Sequence, residues 1–266
     1  MKKLVLMMLF GVLIAPAFGS PVDVTIYVDD AYKPFSFRGR DGNAQGIYIN
    51  VLQTAFSRMK NFNVTIKPVP WKRGKHLMEK GEGFGLAPAF FHGHDWPYLH
   101  PYSLAFYTET ITAVCSEKVL ESSRINWPDD YIGLSVGNVT GYDGWGGSAF
   151  RELVKQKKIF YQEAKGSAEN ILKLGAGRVD CIMMEDTAFD YAYSKLKLSG
   201  KYNEKMIRIK KGAIIGVDPV YIGYSKTARE MGKYPFQFEF MQAFDSEIYK
   251  MIKSGEIKQI MGEYKE

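Results

Sequence analysis

His92-Gly93-His94-Asp95, with His100 a few residues on, gathers three imidazoles and a carboxylate in one short stretch. Those are ligand types of zinc, copper and nickel sites. The same stretch is rich in Phe, Trp and Tyr, and a His-x-His pair in such company equally suits a cleft wall. There the imidazoles would donate to an acidic ligand group below their pKa and make affinity pH-dependent. We adopt this second reading, keep His92 as a ligand-contact candidate and assign no metal. Glu185, at the end of an apolar run, can face an ammonium group in a charge-assisted bond. It can also act as an acid if its pKa is raised, or cap the next helix, for which Asp186 is the better candidate. Tyr32 and Trp71 each follow a strand pattern, where a ring offers a flat apolar wall and a quadrupole that attracts cations.

Motifs of covalent and cofactor chemistry are absent from the sequence: it has no Gly-x-Ser-x-Gly, no His-Glu-x-x-His and no phosphate-cradling Gly-x-x-x-x-Gly-Lys. Gly144-Trp145-Gly146-Gly147 is glycine-rich but lacks dinucleotide-site spacing. No catalytic residue and no cofactor is assigned. Cys115 and Cys181, the two cysteines of the chain, both lie in apolar runs. A disulfide and two buried thiols remain equal alternatives.

The elements that must position these residues alternate between strand and helix. A two-residue period over 24–28 predicts a strand, and residues 47, 51, 52, 55, 56 and 59 recur at helical spacing before a second strand over 64–69. A helix over 72–80 ends at Gly81, and 85–90 is the next strand. Further strands are expected over 111–115, 132–136 and 179–184, with helices including 150–155 and 167–174. Gly137-Asn138-Val139-Thr140-Gly141 is expected as a turn that feeds a helix, with Asn138 and Thr140 near exposed N–H groups suited to an anionic or carbonyl group. β-α-β order implies an open α/β sheet whose ligands sit beyond the carboxyl ends of its strands.

The 266 residues are 46% hydrophobic and 14% aromatic with a net charge of +6, which fits a folded globular chain and not a disordered one. Its cations are scattered among acids, so nucleic acid is not an expected partner. Lys2 and Lys3, an apolar stretch over 4–14 and Ala17-Phe18-Gly19 read as an export signal cleaved after Gly19. That apolar stretch is shorter than the roughly 20 residues of a spanning helix. Residues 208–211 alternate Lys or Arg with Ile, as the exposed face of a strand does.

Tyr32-Lys33-Pro34-Phe35, Val69-Pro70-Trp71-Lys72-Arg73, Gly137-Asn138-Val139-Thr140 and the segment from Gly177 to Glu185 follow one another in an order that resembles the family 3 extracellular solute-binding proteins, the periplasmic receptors of amino-acid importers. The resemblance implies an α/β, two-lobed periplasmic binding protein-like fold of type II with two hinge crossings, near 108–114 and 220–224. It divides the chain into a signal peptide at 1–19, a first lobe at 20–110 with 222–266, and a second lobe at 111–221. It also implies a ligand sandwiched by Tyr32 and Trp71, polar contacts from Asn138, Thr140 and Glu185, and His92 near the position of the family's carboxylate-binding arginine. No arginine lies between Arg73 and Arg124, so an amino-acid-like solute held differently, an amine or a small peptide is expected. The implied partner is an inner-membrane ABC permease. The alternative is a membrane sensor that reads the closed form, and a third reading is a dehydratase-like enzyme on the same fold with Glu185 as acid.

Overall fold

The computed structural model describes residues 20–93, 95–142 and 144–262; the expected export signal therefore lies outside the described residues. The chain runs β1 (Val22–Asp29), β2 (Ala31–Tyr32), β3 (Ser36–Arg38), β4 (Ala44–Gln45), α1 (Ile47–Ser57), β5 (Phe62–Val69), α2 (Trp71–Glu79), β6 (Gly85–Ala89) and β7 (Leu99–Tyr102). It continues with β8 (Tyr107–Ser116), β9 (Ser135–Val139), α3 (Gly147–Lys155), β10 (Phe160–Ala164), α4 (Ser167–Gly175), β11 (Cys181–Glu185) and α5 (Asp186–Leu198). The last elements are β12 (Ile209–Ser225), α6 (Lys226–Glu230), α7 (Gln237–Ser254) and α8 (Glu256–Gly262).

A nine-stranded sheet takes the order β10-β9-β11-β8-β12-β6-β1-β5, with β7 paired to β12, and β2, β3 and β4 form a small sheet of their own. β1 and β5 run parallel with Asp29 opposite Val69, so the chain leaving β1 toward Tyr32 and the chain entering α2 at Trp71 emerge at one edge. β9 lies parallel to both β10 and β11. Between these two halves run β8 and β12, antiparallel over most of their length, with Glu109 opposite Asp218.

α1 forms because Ile47, Val51, Leu52, Ala55 and Phe56 make one buried stripe, which packs toward α7 and α8. On α7, Phe240, Phe244, Ile248 and Met251 repeat at the same period and are buried. Full burial of such side chains contributes roughly 1.5–3 kcal/mol each. Cys115 and Cys181 stand opposite each other on β8 and β11 and form a disulfide, which resolves the two alternatives left open by sequence. The strand expected over 132–136 begins later, as β9. Gly133 turns the chain at φ +85° and leaves Ile132 half exposed. The expected turn at 137–139 is therefore strand, and the turn proper starts at Thr140.

Candidate functional site

The loops leaving the carboxyl ends of β1, β5 and β6 meet the loop joining β9 to α3. Asp29, Tyr32, Trp71, Pro88, Phe90, His92 and Trp96 from one side and Tyr142, Gly144 and Trp145 from the other enclose a cavity of about 20 Å³, room for roughly one water molecule. Six of these side chains are Phe, Tyr or Trp. Tyr142 stands edge-on to Tyr32 at 5.6 Å and to Trp145 at 5.2 Å. His92 meets the Trp96 ring at 4.4 Å, and Trp96 in turn packs on Trp71 at 5.9 Å. Gly144 lies so close beneath His92 that a Cβ there would fall 2.2 Å from Nε2, so the two walls interlock only because this residue has no side chain.

Among the described residues Asp29 is the single carboxylate on the cavity wall, and it is 3% exposed. The Tyr142 hydroxyl donates to its Oδ2 at 2.7 Å and the Ala31 N–H to its Oδ1 at 2.8 Å. Burial pushes its pKa up to about 7 against the pull of these donors. Directly behind Tyr32 sits Glu109, fully buried on β8. Its two oxygens accept from Tyr32 at 2.6 Å and from Tyr48 at 2.7 Å. Desolvation, and then the nearby Glu185, raise the Glu109 pKa well above the usual carboxylate range. Glu185 is also buried, and desolvation raises it to about 7.

Lys75 reaches from α2 to the facing loop. Its Nζ donates to the Gly141 carbonyl at 2.9 Å and lies 5.0 Å from the centre of the Trp96 ring. Arg151 on α3 pairs with Asp95 at 2.9 Å. The two walls are thus joined by polar contacts as well as by rings.

Of the six residues singled out by sequence, Tyr32, Trp71 and His92 line the cavity and Asn138, Thr140 and Glu185 do not. Asn138 folds back on its own loop, donating to the Tyr142 carbonyl and accepting from the Val139 N–H. Thr140 is exposed and donates to the Ala164 carbonyl. Both set the loop's shape. Glu185 is the N-cap of α5, accepting from Ala188 N–H at 2.6 Å; it takes the capping role expected of Asp186. Sequence reasoning missed Asp29, Phe90, Trp96, Tyr142 and Trp145. Asp29 had a signal, as the last residue of the first strand. The glycine-rich run at 144–147 lies between β9 and α3 and ends at the first residue of that helix, and its Trp145 lines the cavity.

Among the described residues no three His, Cys, Asp or Glu side chains stand together as a metal site. His94 lies outside the described residues, and Asp95 faces Arg151.

No family model and no curated protein matches the chain. Solved structures do. A structure from the glutathione import system of Streptococcus mutans, comprising GshT and the cystine ABC importer TcyBC, superposes with a TM-score of 0.69 at 14% identity, covering 92% of this chain and 95% of that one. A histidine kinase sensor domain with similarity to periplasmic binding proteins gives 0.68 at 12%, covering 92% and 96%. The ancestral amino acid-binding protein AncCDT-1, a precursor of cyclohexadienyl dehydratase, gives 0.63 at 16%, covering 91% and 94%. The chain shares the periplasmic binding protein-like α/β fold of these structures.

Proposed function

We propose that the protein is a periplasmic receptor that closes two lobes on a small polar solute and presents the closed form to an inner-membrane ABC importer. The lobes are residues 20–110 with 222–266, and 111–221, with β8 and β12 as the crossings about which they move. The observation that carries this reading is the placement of the cavity. Its walls come from loops on opposite sides of the β8–β12 pair, so ligand contact and closure are one event.

The lining also argues for the class of solute. Among the described residues on the cavity wall, one carboxylate stands amid aromatic rings, and no Lys or Arg is present. A buried carboxylate with ring faces suits an ammonium or guanidinium group, through a charge-assisted bond and the ring quadrupoles. The absence of an arginine between Arg73 and Arg124 points the same way, since a bidentate clamp for an α-carboxylate is missing from that stretch. The solute is accordingly an amine or an amino-acid-like cation. Glu185 receives no catalytic role here, because its carboxylate caps α5.

A thermal-shift screen of amino acids, polyamines, small peptides and carboxylic acids tests the proposal. A solute at 100 times its dissociation constant adds about 2.7 kcal/mol of stability. Stabilisation by cationic amines is expected. Stabilisation confined to carboxylic acids without an amine would overturn the assigned class.

A second reading, in which a membrane sensor reads the closed form, draws on the likeness to the histidine kinase sensor domain. Deleting the gene separates the two: uptake of the identified solute should fall for an importer and stay unchanged for a sensor.

A further inference from the structure

We infer that the segment joining α5 to β12 is a docking surface for anionic lipid headgroups, on which Lys201, Lys205, Arg208 and Lys210 supply the charge and Leu198 the apolar contact. This surface lies apart from the cavity and stands whether or not the cavity binds a solute.

The first ground is charge. Residues 195–211 hold six lysines and one arginine against a single acid, Glu204, and all seven cations are exposed. Lys211 pairs with Asp186 and Asp190, while Lys195 and Lys197 lie over the rings of Tyr191 and Tyr193. Lys201, Lys205, Arg208 and Lys210 have no ion pair among the described residues. Their charge is free to act on a partner.

The second is placement. Cys115 on β8 stands opposite both Cys181, the first residue of β11, and Lys210 near the start of β12. β11 runs parallel to β9, whose carboxyl end feeds the cavity loop. The basic segment therefore sits at the other end of these strands from the cavity, where a flat surface can approach without covering it.

The third is that the segment is held in shape. Tyr202 is buried, and its hydroxyl donates to the Ile207 carbonyl at 2.6 Å. The Ile207 N–H donates to the Gly175 carbonyl at 3.0 Å. Asn203 donates to the Gly200 carbonyl at 3.2 Å and accepts from the Lys205 N–H at 3.1 Å. With Tyr202 pinned inside, Leu198 is left 82% exposed between Lys197 and Lys201. An aliphatic side chain so placed suits the boundary between headgroups and acyl chains, with the lysine stems lying along it.

Composition decides between a lipid and an acidic protein. Protein contact patches are enriched in aromatic residues and Arg and depleted in Lys. Here Lys outnumbers Arg six to one, and the ring within the stretch, Tyr202, is buried. An arginine fork reads one particular carboxylate, whereas a lysine is a hydrated point charge. Near a uniformly anionic surface such charges accumulate, at about a fivefold gain in binding for each. Among the described residues no helix is long and apolar enough to cross a membrane, so the attachment is peripheral.

The test is co-sedimentation of the mature protein with vesicles of phosphatidylcholine alone and of phosphatidylcholine mixed with phosphatidylglycerol. Two variants accompany it, Leu198→Ser and the combined Lys201→Gln, Lys205→Gln, Arg208→Gln and Lys210→Gln, each checked for a native fold by circular dichroism. Wild-type protein should sediment with the anionic vesicles at low salt, stay in solution with phosphatidylcholine, and be released at about 0.5 M salt, where screening shortens the Debye length to about 4 Å. The fourfold variant should bind roughly 100-fold more weakly or worse, and Leu198→Ser several-fold more weakly. Wild-type protein that ignores the anionic vesicles at low salt, or a fourfold variant that sediments like wild type, would overturn the proposal. Retention on immobilised polyglutamate, lost in the fourfold variant and without any vesicle binding, would assign the surface to an acidic protein segment and overturn the lipid reading.

Discussion

Tyr32, on the cavity wall, is tied by its hydroxyl to Glu109 on the crossing strand β8 at 2.6 Å, and the same carboxylate accepts from Tyr48 at 2.7 Å. One buried acid therefore fixes a ring at the cavity, a ring on α1 and the strand that joins the two halves of the sheet. The bonds are short and fully enclosed.

Removing the Tyr32 hydroxyl leaves one Glu109 oxygen without its donor inside the protein. Tyr32→Phe should destabilise the fold by about 1–3 kcal/mol, the cost of an orphaned buried acceptor. Glu109→Leu should cost as much or more, and the double variant less than the two losses added together, because both remove the same bond. Urea denaturation of the four proteins checks this. Simple additivity would show that the 2.6 Å contact does not couple the two residues.

The disulfide between Cys115 and Cys181 closes a loop with a sequence separation of 66. Chain-entropy arguments put its contribution at roughly 4 kcal/mol for a loop of this size. Replacing both cysteines by Ala, or reducing the bond before unfolding, should lower the denaturation midpoint accordingly. An unchanged midpoint would mean that the bond adds nothing beyond the β8–β11 pairing it joins.

Burial raises Asp29 and Glu185 to about 7, from 3.8 and 4.5. A carboxyl whose folded pKa lies above its unfolded value favours the folded state most strongly below the unfolded pKa, and that contribution is lost as pH rises through the folded pKa. Stability should therefore fall between about pH 4 and pH 7, by at most roughly 1.4 kcal/mol per pH unit for each group. Asp29→Asn should flatten the slope by one group's share. Urea midpoints at several pH values provide the measurement, and a midpoint that climbs with pH across this window would contradict the assignment.

Much of the fold was legible in the sequence because its signals are local. The two-residue period of β1, the apolar stripe of α1 and Gly81 after α2 each lie within a dozen residues. Tyr32, Trp71 and His92 were legible for the same reason, since each follows a strand whose carboxyl end faces the cavity. Tyr142 and Trp145 were not, because a loop without period carries no sign of what it touches, and Asp29 is 113 positions from Tyr142. Glu185 misled by position. An acid at the end of a strand and the start of a helix satisfies a ligand contact and a helix cap equally well, and only the bond to Ala188 N–H separates them.

The most direct test of the account is a crystal structure of the protein with an amine found in the thermal-shift screen. The amine's cationic group is expected about 3 Å from the Asp29 carboxylate, among the rings of Tyr32, Trp71 and Trp96. A solute bound away from Asp29, or one whose carboxylate rather than its ammonium enters the cavity, would contradict it.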